Sequence, residues 1–285
     1  MSTQVLELAG CRLHWSAHGA GDPILFLQGT GVHGEGWRPQ LDEFAREFRC
    51  LSFDNRGMGQ SQPVGGRLTI ERMAQDALAL LDAAGARNAH VVGHSLGGMV
   101  AIALALLAPT RVRSLALLCT FADGHAPARS ARMFWLGLRS RIGSARMRRL
   151  AFLEILLPPA LLAGVDRDAL AAQLAPLFGH DLALQPPIVM AQIRAFRRCD
   201  FSARLGELAR IPTLVVAAAH DVITPPPIGR DLAAAIPGAR YVELADAGHG
   251  APITHPAEIN ALLREHFAAA ANTISAPGPL SGGRS

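Results

Sequence analysis

Apolar residues along this chain switch repeatedly between two spacings. Short runs in which most positions are apolar, namely Ile24–Leu27, Cys50–Phe53, His90–Val92, Ser114–Thr120, Thr213–Ala218 and Tyr241–Leu244, predict strands buried on both faces. Between them, apolar residues return every three or four positions over Ile70–Ala84, Leu96–Ala108, Ile228–Ala235 and Pro256–Ala270, which predicts helices. Thr69 is placed to cap the first of these helices, and Pro109 to stop the second. Val5–Leu8 and Arg12–Ala17 predict an early strand pair joined near Gly10. Strands alternating with helices make the fold class α/β, a mostly parallel sheet flanked by helices.

Residues 122–199 break the alternation. They carry helical patterns only, at Arg132–Ile142, Ala145–Leu157, Asp168–Leu177 and Ile188–Arg198, punctuated by Pro158-Pro159 and Pro186-Pro187. This reads as a helical insertion seated on the strand ends. The organisation expected is therefore a core of residues 1–121 and 200–272, an insertion at 122–199, and a loose Pro/Gly/Ser-rich tail at 273–285.

The stretch His90–Met99, "HVVGHSLGGM", runs from a Val-rich strand into an apolar helix through a serine flanked by glycines. Gly93, Gly97 and Gly98 suit a turn so tight that a Cβ on either flank would collide with the other element. Such a turn lifts the Ser95 hydroxyl clear and aims the Leu96 amide, at a helix start, toward the same point, where negative charge is favoured. A serine hydroxyl needs a base, and the base a carboxylate. His249, in "ADAGHGAP" after the Tyr241–Leu244 strand, and Asp221, in "AAAHDVITPP" after the Thr213–Ala218 strand, both fall at the edge of the sheet that holds Ser95. Asp221 also reads as a turn aspartate, and Asp123, after the Ser114–Thr120 strand, is the rival acid. His94, His220 and His255 read as structural.

The loop Gln28-Gly29-Thr30-Gly31 follows a buried strand. Its Thr30 amide is the candidate partner of the Leu96 amide in an oxyanion hole, with Gln28 and Gly29 on the pocket wall. The loop lacks the Lys-Ser/Thr ending of a phosphate loop. In the insertion, Met133, Phe134, Trp135 and Leu136 form one apolar cluster and Phe152, Leu153, Leu156 and Leu157 another. Each either lines an acyl pocket, with Met133 and Trp135 foremost, or packs the insertion onto the sheet. Arg129, Arg132, Arg139, Arg141, Arg146, Arg148 and Arg149 meet no acidic residue before Glu154, which suits solvated helix faces or the capture of an anionic substrate.

Composition narrows the partners. Net charge is +4 and every basic residue is arginine; with a single tyrosine and no basic stripe interleaved with aromatics, a nucleic-acid surface is not expected. The four cysteines lack CxxC spacing and read as buried reduced thiols, so neither a metal nor another cofactor is expected. No secretory pattern opens the chain and no apolar run is long enough to span a membrane, so the expectation is a cytoplasmic monomer or homodimer acting on a small molecule.

"FLQGTGVHGEGW", "SFDNRGMGQS", "VVGHSLGGMVA", "IPTLVVAAAHDVITPP" and "LADAGHGAPITHP" occur in an order and at a spacing that resemble the α/β-hydrolase fold from Val5 to about Ala270. The resemblance implies an eight-stranded, mostly parallel sheet, a helical lid after the sixth strand, and Ser95, His249 and Asp221 as nucleophile, base and acid. It is strongest to lidded serine esterases, lactonases and C–C bond hydrolases. The function it implies is cleavage of small to medium carboxylic esters through an acyl-enzyme; enol-lactone hydrolysis, C–C bond hydrolysis and perhydrolysis use the same triad, and a non-catalytic ligand-binding member is the reading from another class. Serine at the elbow sets the chain apart from the haloalkane dehalogenases and epoxide hydrolases, which carry aspartate there. One departure stands out: the family's usual His-Gly is here Gln28-Gly29.

Overall fold

The computed structural model describes residues 2–129 and 131–275, with side chains at 3–127 and 135–272. The apolar runs form one eight-stranded sheet: β1 (Ser2–Leu8), β2 (Cys11–His18), β3 (Pro23–Leu27), β4 (Arg49–Phe53), β5 (Ala89–His94), β6 (Val112–Leu118), β7 (Thr213–Ala218) and β8 (Arg240–Leu244). Their spatial order is β1-β2-β4-β3-β5-β6-β7-β8. β1 pairs antiparallel with β2, and β2 with β4, while every other neighbour is parallel. The pattern follows from burial. β5 and β7 are buried at every position, as parallel strands covered on both faces must be, whereas β2 starts with alternating buried and open residues.

Helices fill both faces. On one side α2 (Ile70–Ala83) and α3 (Leu96–Leu107) pack Ile70, Met73, Leu80, Met99 and Ile102 against the sheet. The Thr69 hydroxyl accepts the Arg72 amide at 3.1 Å and so starts α2 where the sequence places it. The other side holds α1 (Arg38–Phe44) and the C-terminal α11 (Pro256–Ser275), with Trp37, Phe44 and Phe267 in the second core cluster. α1 is an element the spacing does not announce: it is short and offers only Leu41 and Phe44 as apolar anchors. α11 runs three residues into the expected tail, because the Ala-rich stretch before Ser275 favours helix; residues 276–285 lie outside the described residues. α9 (Pro226–Ala235) and α10 (Ala251–Thr254) complete the core. All four cysteines are buried free thiols.

Between β6 and β7 run α4 (Ala131–Arg139), α5 (Ala145–Leu156), α6 (Pro159–Leu162), α7 (Arg167–Phe178) and α8 (Val189–Phe196). The chain leaves and re-enters the core through a narrow neck, where Gly124 N–H donates to Cys199 C=O and Phe201 N–H to Ala122 C=O. The segment has its own apolar cluster, Leu153, Leu156, Leu174, Phe178 and Leu182 among it, and that cluster takes in Val32 from the loop after β3.

Candidate active site

The elbow sits between β5 and α3. Ser95 holds φ 54° and ψ −119°, a backbone conformation that a residue with a side chain adopts only when its surroundings enforce it. Here they do. Ser95 N–H donates to Leu118 C=O at 3.0 Å, and Ser95 C=O accepts the Thr120 hydroxyl at 2.6 Å. A Cβ at Gly93 would lie 2.4 Å from Gly97 O, and one at Gly97 only 2.0 Å from Leu27 O. A serine at a helix N-cap ordinarily turns its hydroxyl onto the helix amides, but Ser95 makes no such bond.

His249, in the loop after β8, and Asp221, in the loop after β7, meet directly: His249 Nδ1 lies 2.7 Å from Asp221 Oδ2, with both side chains buried. Asp221 Oδ2 also accepts the Thr224 hydroxyl at 2.6 Å, and Oδ1 accepts the Ile223 and Thr224 amides at 2.7 and 2.9 Å. Burial alone would raise this carboxyl, but His249 and the Thr224 donors outweigh it and hold its pKa below the ordinary value. An ionised carboxylate at Nδ1 fixes the proton there and leaves Nε2 as the free acceptor of the ring. Asp123, the rival acid, accepts its own loop's His125 amide at 2.8 Å.

His94 braces this histidine. Its Nε2 lies 2.8 Å from the His249 carbonyl oxygen, the two rings are 4.9 Å apart, and Trp37 meets the His94 ring edge-on at 6.4 Å. Burial pushes the His94 pKa down to about 3, so the ring is neutral and its one proton is the Nε2–H given to that carbonyl.

In the loop after β3, two of three successive amides are already engaged. Gly29 N–H donates to Gln28 Oε1 at 2.8 Å, and Gly31 N–H donates to Gln192 Oε1, from α8, at 2.9 Å. Thr30 N–H, between them, has no acceptor among the described residues, and neither has Leu96 N–H at the start of α3.

Ser95, His94, His249, Gln28, Gly29 and Thr30 line one cavity of about 440 Å³ between the sheet edge and the helical segment. The rest of its wall is chiefly apolar, with Phe121, Phe152, Phe178 and Val189 in it. Trp135 corrects the sequence reading: it is 62% exposed and off the cavity, whose wall here is formed by Gly137, Leu138, Ser140 and Arg141. The Met133 side chain lies outside the described residues. Gln192 is a wall-supporting residue that the spacing leaves unnoticed, although a glutamine on the buried Val189–Gln192–Ala195 stripe is a readable signal. Among the described residues no group of three His, Cys, Asp or Glu is placed to hold a metal ion, and no helix is long and apolar enough to cross a membrane.

A model of the α/β-hydrolase fold matches residues 22–256. The chain belongs to that family. It is 33% identical over 251 residues to RutD of Azorhizobium caulinodans, named for carbamate hydrolysis, a match covering 88% of this chain and 93% of that one. BpoC of Mycobacterium tuberculosis, named for non-heme bromoperoxidase activity, is 31% identical over 276 residues, covering 90% and 97%. Among solved structures, the enol-lactonase of Burkholderia xenovorans superposes with a TM-score of 0.79 at 26% identity, covering 93% of this chain and all of that one. The proteins this α/β-hydrolase resembles are thus named for carbamate hydrolysis, bromoperoxidase activity and enol-lactone hydrolysis.

Proposed function

We propose that this α/β-hydrolase cleaves carboxylic esters through an acyl-enzyme, with Ser95 as nucleophile, His249 as general base and Asp221 as the acid that orients it. The observation that carries the proposal is a strained, uncapped serine sharing a cavity with a histidine whose Nδ1 is held 2.7 Å from a buried carboxylate. Ser95 Oγ attacks the ester carbonyl carbon while His249 Nε2 takes its proton. The Thr30 and Leu96 amides, both without an acceptor among the described residues, receive the developing oxyanion. Collapse breaks the C–O bond, and His249 returns the proton to the departing alcohol. Water then repeats the sequence on the acyl-enzyme and releases the acid.

The helical segment 122–199 acts in this reading as a lid, since it supplies most of the wall opposite the serine. A lactone is a cyclic ester and enters the same two steps, in keeping with the enol-lactonase likeness. The test is p-nitrophenyl butyrate hydrolysis together with labelling by a fluorophosphonate. Wild type should do both, with the label on Ser95. Ser95→Ala should lose about 10⁴- to 10⁶-fold in rate. A variant that kept a tenth of the wild-type rate would overturn the assignment.

A further inference from the structure

The arginines of the helical segment divide by what they meet. Arg139 pairs with Glu154 at 2.9 Å, Arg146 with Asp168 at 2.8 Å, and Arg149 takes Asp181 with two nitrogens at 2.7 and 2.5 Å. Arg167 reaches Glu154 at 3.6 Å, and Arg148 donates to the Ala183 and Gly143 carbonyls. Those for which the sequence suggests solvated helix faces or anion capture, Arg139, Arg146, Arg148 and Arg149, are instead engaged by carboxylates and carbonyls of the segment itself.

Two others differ in kind. Arg141, in the turn after α4, and Arg197, at the end of α8, both line the cavity that contains Ser95. Neither side chain has an acceptor or an anionic partner among the described residues. None of the chain's 23 Asp and Glu residues lines this cavity. The wall therefore carries two formal positive charges, no negative one, and an apolar body formed by Phe121, Phe152, Phe178, Phe196 and Ile193.

A wholly apolar substrate would leave both guanidiniums without a use, and a small polar anion would leave the apolar body unfilled. A ligand with an apolar stretch ending in an anion satisfies both. The guanidinium fork matches a carboxylate in particular. We propose that Arg141 and Arg197 form an anion subsite, and that the substrate is an ester whose acyl part carries a carboxylate several bonds from the scissile carbonyl. This rests on the hydrolase reading above. Both arginines are exposed to solvent, so the attraction is screened and acts on capture, roughly three- to fivefold per guanidinium and about tenfold for the pair.

The test compares two substrates of one length: mono-p-nitrophenyl adipate, an anion, and its neutral methyl ester. At low ionic strength kcat/KM should favour the half-ester by about tenfold, and about 0.5 M NaCl should erase most of that preference. Arg141→Gln with Arg197→Gln should bring the ratio close to one, and Arg141→Glu with Arg197→Glu should invert it. A wild-type ratio near one, or a ratio unchanged in both double variants, would overturn the subsite. Calorimetry on Ser95→Ala with monobutyl adipate and butyl methyl adipate reads the same preference without turnover. Binding preference through these arginines with neither ester hydrolysed would sink the hydrolase reading and keep the subsite; equal turnover of both esters would do the reverse.

Discussion

Replacing His94 by phenylalanine separates two things this side chain does. The ring survives, so packing against His249 at 4.9 Å and against Trp37 at 6.4 Å is kept. What goes is one hydrogen bond, the 2.8 Å link from Nε2–H to the His249 carbonyl. A buried carbonyl left without its donor costs about 1–3 kcal/mol. The surrounding loop has other anchors, because His220 N–H donates to Ala247 C=O and Gly250 N–H to Leu156 C=O, so it stays folded while His249 keeps its link to Asp221 and loses its backbone tether. If about 1.4–2.8 kcal/mol of that strain falls on the placement of His249 Nε2, kcat on p-nitrophenyl butyrate drops roughly 10- to 100-fold. KM should move less than about threefold, since the lost bond is to backbone and not to substrate. Fluorophosphonate labelling of Ser95 should slow in parallel, and His94→Gln, whose amide can donate to the same carbonyl, should recover part of the rate. A His94→Phe enzyme with kcat within twofold of wild type, or glutamine and phenylalanine variants equally slow, would refute a positioning role.

Gln192→Ala removes the acceptor of Gly31 N–H, and a three- to tenfold fall in kcat on p-nitrophenyl butyrate is expected, on the order of 1 kcal/mol for one neutral hydrogen bond. Arg56 is buried in a two-point pairing with Asp76, so Arg56→Met should lose about 3–5 kcal/mol in urea unfolding, and adding Asp76→Leu should restore much of it. His90 and His266 are buried and neutral, burial having pushed each pKa from 6.5 down to about 4. The unfolded chain therefore binds more protons between those values: the stability these rings give is complete above pH 6.5 and lost as pH falls toward 4, on the order of 2–3 kcal/mol each by pH 4.5, to be read from urea midpoints at pH 7.5 and 4.5.

How much of this was legible from residues alone depends on how local the cause is. β7 follows the Thr213–Ala218 run without a shift, because six consecutive buried positions leave no register for the pattern to miss. Ser95 announces itself because its strain demands glycines at fixed offsets in the same ten residues. The link between His249 and Asp221 is not local. It became readable only because parallel strands β7 and β8 put both following loops at one edge. Trp135 went wrong for the opposite reason: an apolar cluster on a short helix says which residues are greasy, not which face meets the cavity, and the buried position there is Leu136 against Ile155 and Val222. His94 reads as structural from its place beside Ser95, but the partner it braces could not be read, since that partner is a backbone atom 155 residues away.

The loop after β3 shows why the helical segment cannot be treated as a cover that merely filters substrates. Of the amides at Gly29, Thr30 and Gly31, the first is closed by the neighbouring Gln28 side chain and the third by Gln192 from α8. The Gly31 carbonyl is in turn met by His180 Nε2 at 2.9 Å, from the stretch between α7 and α8, and Val32 is packed into the segment's own apolar cluster. The loop that carries Thr30 is thus held from the core by Gln28 and by Asn55, which donates to the Gln28 carbonyl, and from the segment by Gln192, His180 and the apolar cluster around Val32. This gives Gln28, where the family's histidine is replaced, a physical role: its amide oxygen accepts the Gly29 N–H and leaves Thr30 as the amide without an acceptor among the described residues. Movement of α8 relative to the sheet must pull on Gly31, and so on the neighbouring Thr30 amide. Substitutions in α8 chosen to change specificity are therefore expected to change kcat as well, since the same helix that carries Arg197 at its end holds the loop of the proposed oxyanion site through Gln192.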